Sequence, residues 1–325
     1  MSLVSIVIVN WNGEEVLPDC LESLLRLNHK DFEIIIVDNA SIDNSIDIVN
    51  KICGSKAKIV RLERNAGFAA GVNAGVGNAS GIIIALLNND MAVEQSWLDQ
   101  PLELLKDETV GIVSCRQMNY YDRTKIDELY HCVLKSLVLM PFVRGAEYRG
   151  DDERLSRPGY VISANGGSMI VRAEVFRALG GLDPAFFGYM EETDFCLRAF
   201  LRGWRCIYAP SAVVYHKDGF SFKKNRGRQF YLSERNRVWL LYKNIPISDI
   251  LKSLHYVLGR ELIRFRDSCL VYKNPFLYFK ARWDAIWGLG RYKNIRKENV
   301  ALFRNRRKEF YRLKELRKLD LTDKG

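Results

Sequence analysis

The sequence predicts an α/β fold: a mostly parallel central sheet flanked by helices, with a basic helical C-terminal extension. Two observations carry the sheet. β-Branched apolar runs alternate with segments of helical periodicity from Val4 to Cys115, and four of those runs end in polar residues where a crossover loop would begin. The extension rests on charge. Residues 220–325 hold 27 Lys and Arg against 10 Asp and Glu, whereas the preceding residues hold 22 against 29.

Taken in order, Val4–Val9 reads as a buried first strand, and Glu14–Leu27 as a helix with Val16, Leu17, Cys20, Leu21, Leu24 and Leu25 on one face. Phe32–Val37 is a second strand. Ile46, Val49 and Ile52 mark a helix, Lys58–Leu62 a third strand, and the small, glycine-rich stretch Gly67–Ala79 another helix. Gly81–Leu87 is a fourth strand, followed by a helix over Ser96–Lys106 and a strand over Val110–Cys115. Strands separated by helices require parallel pairing with both sheet faces covered. The order loosens after Met118. The polar stretch Arg144–Arg157 reads as a mobile loop beside a substrate site. Tyr160–Arg172 is strand-like around Gly166-Gly167, Glu174–Leu179 and Glu191–Arg202 are helical, and Cys206–Tyr215 is the last strand. From Arg226 onward the pattern is helical, aromatic and basic.

The composition of the 325 residues, 48% hydrophobic and 27% charged, excludes a mostly disordered or collagen-like chain. No run is apolar enough to span a bilayer, and Met1-Ser2-Leu3 leads straight into the first strand, so neither a spanning helix nor a secretory signal is expected. Seven scattered cysteines with no C-x-x-C pair argue for a reducing compartment.

In open parallel sheets ligands bind beyond the carboxyl ends of the strands. Here those ends carry Asn10-Trp11-Asn12, Asp38-Asn39, Arg64-Asn65 and Asn88-Asn89-Asp90. Each alone is also ordinary turn chemistry. Asp90, beyond a buried strand, suits a hard divalent cation completed by substrate phosphates, or else caps the next helix. Asn65 to Asn73, through Gly67, either brings backbone N–H groups to a phosphate or packs a helix closely on the sheet. Glu191-Glu192-Thr193-Asp194 gathers three carboxylates, as a general base or cation site would; an acidic helix N-terminus and an Asp194–Arg198 pair are the plainer readings. His216 ends the last strand, as a structural histidine or a second metal ligand.

Together these segments resemble the family 2 inverting glycosyltransferases, in particular the rhamnosyltransferase-like branch. The matching stretches, in order, are Val4–Gly13, Val37–Ser41, Asn65–Asn73, Leu87–Asp90, Gly180–Asp183, Glu191–Asp194 and His216. The resemblance implies a GT-A fold over residues 1–219, with a nucleotide-binding half (1–117) and an acceptor half (118–219), followed by the basic extension (220–325). It implies that Asp38 bonds the nucleobase, that Asn10 and Trp11 line the base pocket, and that Asn65 and Asn73 help hold nucleotide or sugar. Asn88-Asn89-Asp90 stands where the family has its D-x-D motif, with Asp90 the match for the metal ligand. Glu192 occupies the place of the base aspartate. Asn for the other acids and Glu for the base Asp are this chain's departures.

The function so implied is sugar transfer, dependent on Mg²⁺ or Mn²⁺, from a dTDP-rhamnose-like or UDP-sugar donor to a glycan or lipid-linked glycan. The neighbouring acids Glu191 and Asp194 are expected to raise the pKa of Glu192. A non-catalytic nucleotide-sugar-binding or scaffold protein at a membrane is the alternative. Cations interleaved with Trp239, Trp283, Trp287 and many Tyr and Phe suit an anionic membrane surface, whereas a packed helical hairpin is the plainer reading of the extension. The expected location is the cytoplasm, peripheral on the inner face of the cell membrane. Nucleic acid, which would use similar residues, is not expected as a partner.

Overall fold

A computed structural model describes residues 3–133, 137, 139–141, 145–148, 153–217 and 226–315. The first half alternates as the apolar runs require: β1 (Val4–Asn10), α1 (Leu17–Leu25), β2 (Phe32–Asp38), α2 (Ser45–Cys53), β3 (Ala57–Arg61), α3 (Phe68–Gly77), β4 (Ile83–Leu87), β5 (Met91–Val93), α4 (Asp99–Leu104) and β6 (Val110–Asn119). Then come β7 (Ile126–Glu128), β8 (His131–Val133), β9 (Leu139–Pro141), α5 (Glu153–Ser156), β10 (Gly159–Val161), β11 (Ser168–Arg172), α6 (Ala173–Ala178), α7 (Glu191–Leu201) and β12 (Arg205–His216). The extension is helical: α8 (Arg226–Asn244), α9 (Ile247–Lys252), α10 (Leu254–Leu270), α11 (Phe276–Gly288) and α12 (Lys293–Glu315).

The central sheet runs β10-β12-β6-β11-β4-β1-β2-β3, with β5 on β12 and β7 on β6. The half made of β3, β2, β1 and β4 is parallel, as expected, and so is the β6–β12 pair. β11 enters antiparallel between β4 and β6, which makes the second half mixed. The stretch Tyr160–Arg172 is therefore two strands, divided around Gly166-Gly167.

The two-residue period of the strands sorts the core. Val7, Ile35 and Val37 face α3 through Val72 and Val76. Ile6, Ile8, Ile34 and Ile36 face α1 and α2 through Leu17, Leu21, Leu24 and Val49. The glycines of α3 allow close contact, since a Cβ on Gly71 or Gly75 would strike Val9 or Val7.

A third core joins the body to the extension. Phe186, Leu197, Phe200 and Leu201 pack with Trp239, Leu240, Ala285, Tyr292, Phe303 and Phe310. The change in composition near residue 219 is thus not a break in packing. The stretch Arg144–Arg157 lies partly outside the described residues; within it Glu147 bridges to Lys125 and residues 153–156 form α5.

Candidate active site

The carboxyl ends of β1, β2 and β4 meet in one hydrogen-bonded chain. The Asn89 amide donates to Asn10 Oδ1 (2.8 Å), the Asn10 amide to Ser41 Oγ (3.2 Å), and the Ser41 N–H to Asp38 Oδ1 (2.9 Å). Asn10, Asp38 and Asn89, far apart in sequence, are so held at one edge. Asn10 is fully buried, whereas Trp11 stands half exposed (51%) at the rim. The β1 and β2 loops are laced by Ile42 N–H to Asn12 Oδ1 and Gly13 N–H to Ser45 Oγ.

The start of α3 holds no phosphate cradle. Ala66 N–H donates to Asn39 Oδ1, Gly67 N–H to Asn65 Oδ1, and the N–H groups of Phe68 and Ala69 to the Phe187 carbonyl. The donors a phosphate would need are already engaged. Gly67 is required for contact, because its φ is 88° and a Cβ would lie 2.4 Å from the Phe187 carbonyl oxygen. Asn73 is engaged by the fold in the same way. Its amide donates to the Leu182 carbonyl (2.7 Å) and accepts from the Leu182 N–H (2.9 Å), so it ties α3 to the Gly180–Asp183 turn. Asn65 acts as a brace, its Oδ1 also accepting from the Asn39 amide.

Asp90 and His216 do come together. His216 Nε2 lies 3.5 Å from Asp90 Oδ2, and Nδ1 lies 2.7 Å from Asp127 Oδ2. Burial alone would lower the His216 pKa, but the bonds and charges of Asp127 and Asp90 push it up to about 10. Asp90 Oδ1 is buried with no hydrogen-bond partner. Such an oxygen fits a cation. Among the described residues no group of three or more His, Cys, Asp or Glu could hold a metal by itself, so a cation here would need ligands from a bound diphosphate. Asp127, on β7, escaped the sequence reading; nothing periodic surrounds it, and its partner is 89 residues away.

The acids at the start of α7 separate by role. Glu192 Oε1 accepts from Thr193 Oγ1 (3.0 Å) and lies 3.7 Å from His131 Nδ1. Burial raises the Glu192 pKa and the charge of His131 opposes it. For His131 burial opposes the charge, but Glu128 and then Glu192 prevail and raise it to about 9. Glu191 is pushed well up by burial and by Glu192, and its Oε2 is buried without a hydrogen-bond partner. Asp194 takes no part. Fully buried, it points away to Arg198 (2.8 Å), Lys243 (2.9 Å) and Asn244 (3.0 Å); although burial acts to raise its pKa, Arg198 and Lys243 hold it below the usual range. The expectation that Asp194 raises Glu192 is therefore corrected to burial.

Gly166-Gly167 connects the two acidic groups. A Cβ on Gly166 would lie 3.2 Å from the Glu192 carboxyl carbon, while the Gly167 carbonyl accepts from the Asn88 N–H (2.9 Å). The turn bearing Asp90 and the helix start bearing Glu192 thus flank one bare stretch of backbone. The segment leading into α7 is strained, with Phe187, Tyr189 and Met190 at φ values of 68°, 68° and 74°. The Asn236 amide nitrogen of α8 holds it through the carbonyls of Phe186, Gly188 and Tyr189 at 2.8–2.9 Å.

The curled α/β sheet flanked by helices, with its helical C-terminal extension, is a fold of the GT-A type. Residues 5–180 match the family model described as glycosyl transferase family 2, and the chain belongs to that family. An uncharacterised protein of Sinorhizobium fredii is 28% identical over 231 residues, covering 67% of this chain and 25% of that protein. Chondroitin synthase of Pasteurella multocida is 32% identical over 119 residues, covering 36% of this chain and 12% of the synthase. The chain thus spans a quarter or less of these two relatives. Among solved structures, S. aureus TarS residues 1–349 superpose with a TM-score of 0.59 at 16% identity, covering 97% of this chain and 89% of that one. A mannosyltransferase from Pyrobaculum calidifontis, solved with GDP-Man and Mn²⁺, gives 0.56 at 16% identity, covering 99% and 88%. At such identity the likeness shows the fold.

Proposed function

We propose that the protein is an inverting glycosyltransferase that moves a sugar from a nucleotide-sugar donor to a glycan or lipid-linked glycan. The observation that carries this is the pairing, across Gly166-Gly167, of a buried, pKa-raised Glu192 with a buried Asp90 whose Oδ1 lacks a partner. Asp38, Asn10 and Trp11 receive the nucleoside, and Asp90 with His216 faces the diphosphate. A Mg²⁺ or Mn²⁺ ion bound there would draw off the negative charge that the leaving diphosphate gains. Glu192 takes the proton of the acceptor hydroxyl as its oxygen attacks the anomeric carbon and the bond to the diphosphate breaks. One displacement inverts that centre. With a cation bound there His216 would give up its Nε2 proton, and Asp127 would then orient the neutral imidazole through Nδ1, as outer carboxylates orient metal-bound imidazoles.

The sequence resemblance favours the rhamnosyltransferase-like branch, with a dTDP-rhamnose-like or UDP-sugar donor, and work in the cytoplasm at the inner membrane face. The test is a thermal-shift screen of nucleotide sugars with and without Mg²⁺ or Mn²⁺. One donor class should raise the melting temperature of the full chain only with the cation, and Asp90→Ala should abolish that shift. A shift indifferent to both cation and Asp90 would overturn the metal assignment; no shift with any donor would overturn the reading.

A further inference from the structure

We propose that α10 and α11 form a monotopic docking face that inserts shallowly into an anionic lipid surface. The burial of α11 is inverted relative to an ordinary surface helix. Its small residues Ala281, Ala285 and Gly288 point inward, and a Cβ on Gly288 would strike the Trp239 ring. Its large residues point outward at helical spacing: Phe276, Phe279, Trp283, Ile286 and Trp287, with Trp283 64% and Trp287 72% exposed. Leu254, Leu258 and Leu262 make a matching stripe on α10, and Phe265 joins the two through ring contacts with Phe279 and Tyr278. Among the described residues, the large apolar side chains as exposed outside α10 and α11 are Ile247 and Leu251 on the preceding α9, Val271 just after α10, and Trp11, Ile42, Ile82, Tyr121 and Tyr160 on the body. Apolar surface concentrated in this way marks an interaction site.

Charge selects the occupant. Throughout residues 247–291, all described, Lys252, Arg266, Lys273, Lys280 and Arg291 are exposed and no acidic residue is. The acids of this stretch are each paired with cations: Asp249 with Arg307, Glu261 with Arg237 and Arg282, Asp267 with Arg264 and the exposed Arg266, Asp284 with the exposed Lys280, which leaves Lys252, Lys273 and Arg291 as exposed cations without an acid of this stretch beside them. A second copy meeting this face with its own would bring cation against cation. An anionic bilayer offers apolar depth for the aromatics and negative headgroups for their rim. No described helix is long and apolar enough to cross a membrane, so the contact is interfacial.

The test is flotation of the full chain with vesicles of phosphatidylglycerol and phosphatidylcholine in equal parts, or of phosphatidylcholine alone. Binding should require the anionic lipid, and brominated acyl chains should quench tryptophan emission. The double variant Trp283→Glu with Trp287→Glu should bind at least tenfold more weakly and escape quenching, and Lys252→Glu with Lys273→Glu should also weaken binding. These sites are exposed, so far-UV spectra should be unchanged. Donor-induced stabilisation, measured without lipid, tests the transferase reading separately. No binding to anionic vesicles, binding unaltered by the Trp variants, or self-association through this face in its place would overturn the proposal.

Discussion

His131 sets the ionisation of the proposed base. Held charged by Glu128 and Glu192 against burial, it stabilises the Glu192 carboxylate, which burial and Glu128 disfavour. Removing it as His131→Gln takes away the largest opposition to burial and leaves only the hydrogen bonds from the backbone and Thr193. The Glu192 pKa then rises, and the acidic limb of the kcat/KM profile should move to higher pH; a limb that stays in place would contradict the assignment. Asp127 offers a second check. Outer carboxylates on metal-bound imidazoles contribute ~10–100-fold to metal affinity or activity, so Asp127→Asn should weaken Mn²⁺ affinity by about that factor, read by calorimetry with nucleoside diphosphate present. Neither residue was legible from sequence. His131 and Asp127 lie after Met118, where periodicity fails, and their partners come from α7 and β12. Asp90 and His216 stand out because each follows or ends a strand whose apolar pattern is strong, whereas Glu192 is singled out within its acidic cluster by the family resemblance.

Among the elements, the glycine-rich α3 lies where the sequence places it, and of the two readings of its glycines the structure shows close packing on the sheet. They serve contact with Val7, Val9 and Phe187, a three-dimensional reason that the one-dimensional pattern Gly67–Gly75 shares with phosphate loops. β5 and β7, three residues each, are too short for alternation to register. α8 is the largest surprise. Its Glu234, Arg237 and Lys243, which nothing in the basic, aromatic pattern sets apart from the other charges, are all buried. Glu234 pairs with Arg260, Arg264 and Arg282, and the charges of Arg260, Arg237 and Arg282 overcome burial and hold its pKa far below the usual range. Within α8, Asn236 holds the strained turn before α7. Asn236→Ala would leave buried carbonyls unsatisfied at a cost of about 1–3 kcal/mol. It should lower the melting temperature and reduce kcat more than donor affinity, since the donor groups on β1 and β2 are untouched; an equal loss of both, or of neither, would speak against a positioning role.

The whole molecule depends on the extension that composition sets apart. Asp194 relies on Lys243 and Asn244, and Phe200 and Leu201 on Phe303 and Phe310. A chain ending at residue 219 would leave buried Asp194 with Arg198 alone and expose that core, so it should aggregate or lose cooperative unfolding by calorimetry. Cooperative unfolding close to the full-length melting temperature would show the body to be independent.

The central claim, that Glu192 is the base of a sugar transfer, is tested most directly by nucleoside diphosphate release from the donor found by screening, with Mn²⁺ and an acceptor glycan. Glu192→Gln keeps the shape of the side chain and cannot take a proton. It should keep donor-induced stabilisation and lose turnover by ~10²–10⁴-fold, the scale of general acid–base catalysis. Full turnover by Glu192→Gln, with the loss found in Glu191→Gln instead, would contradict the assignment.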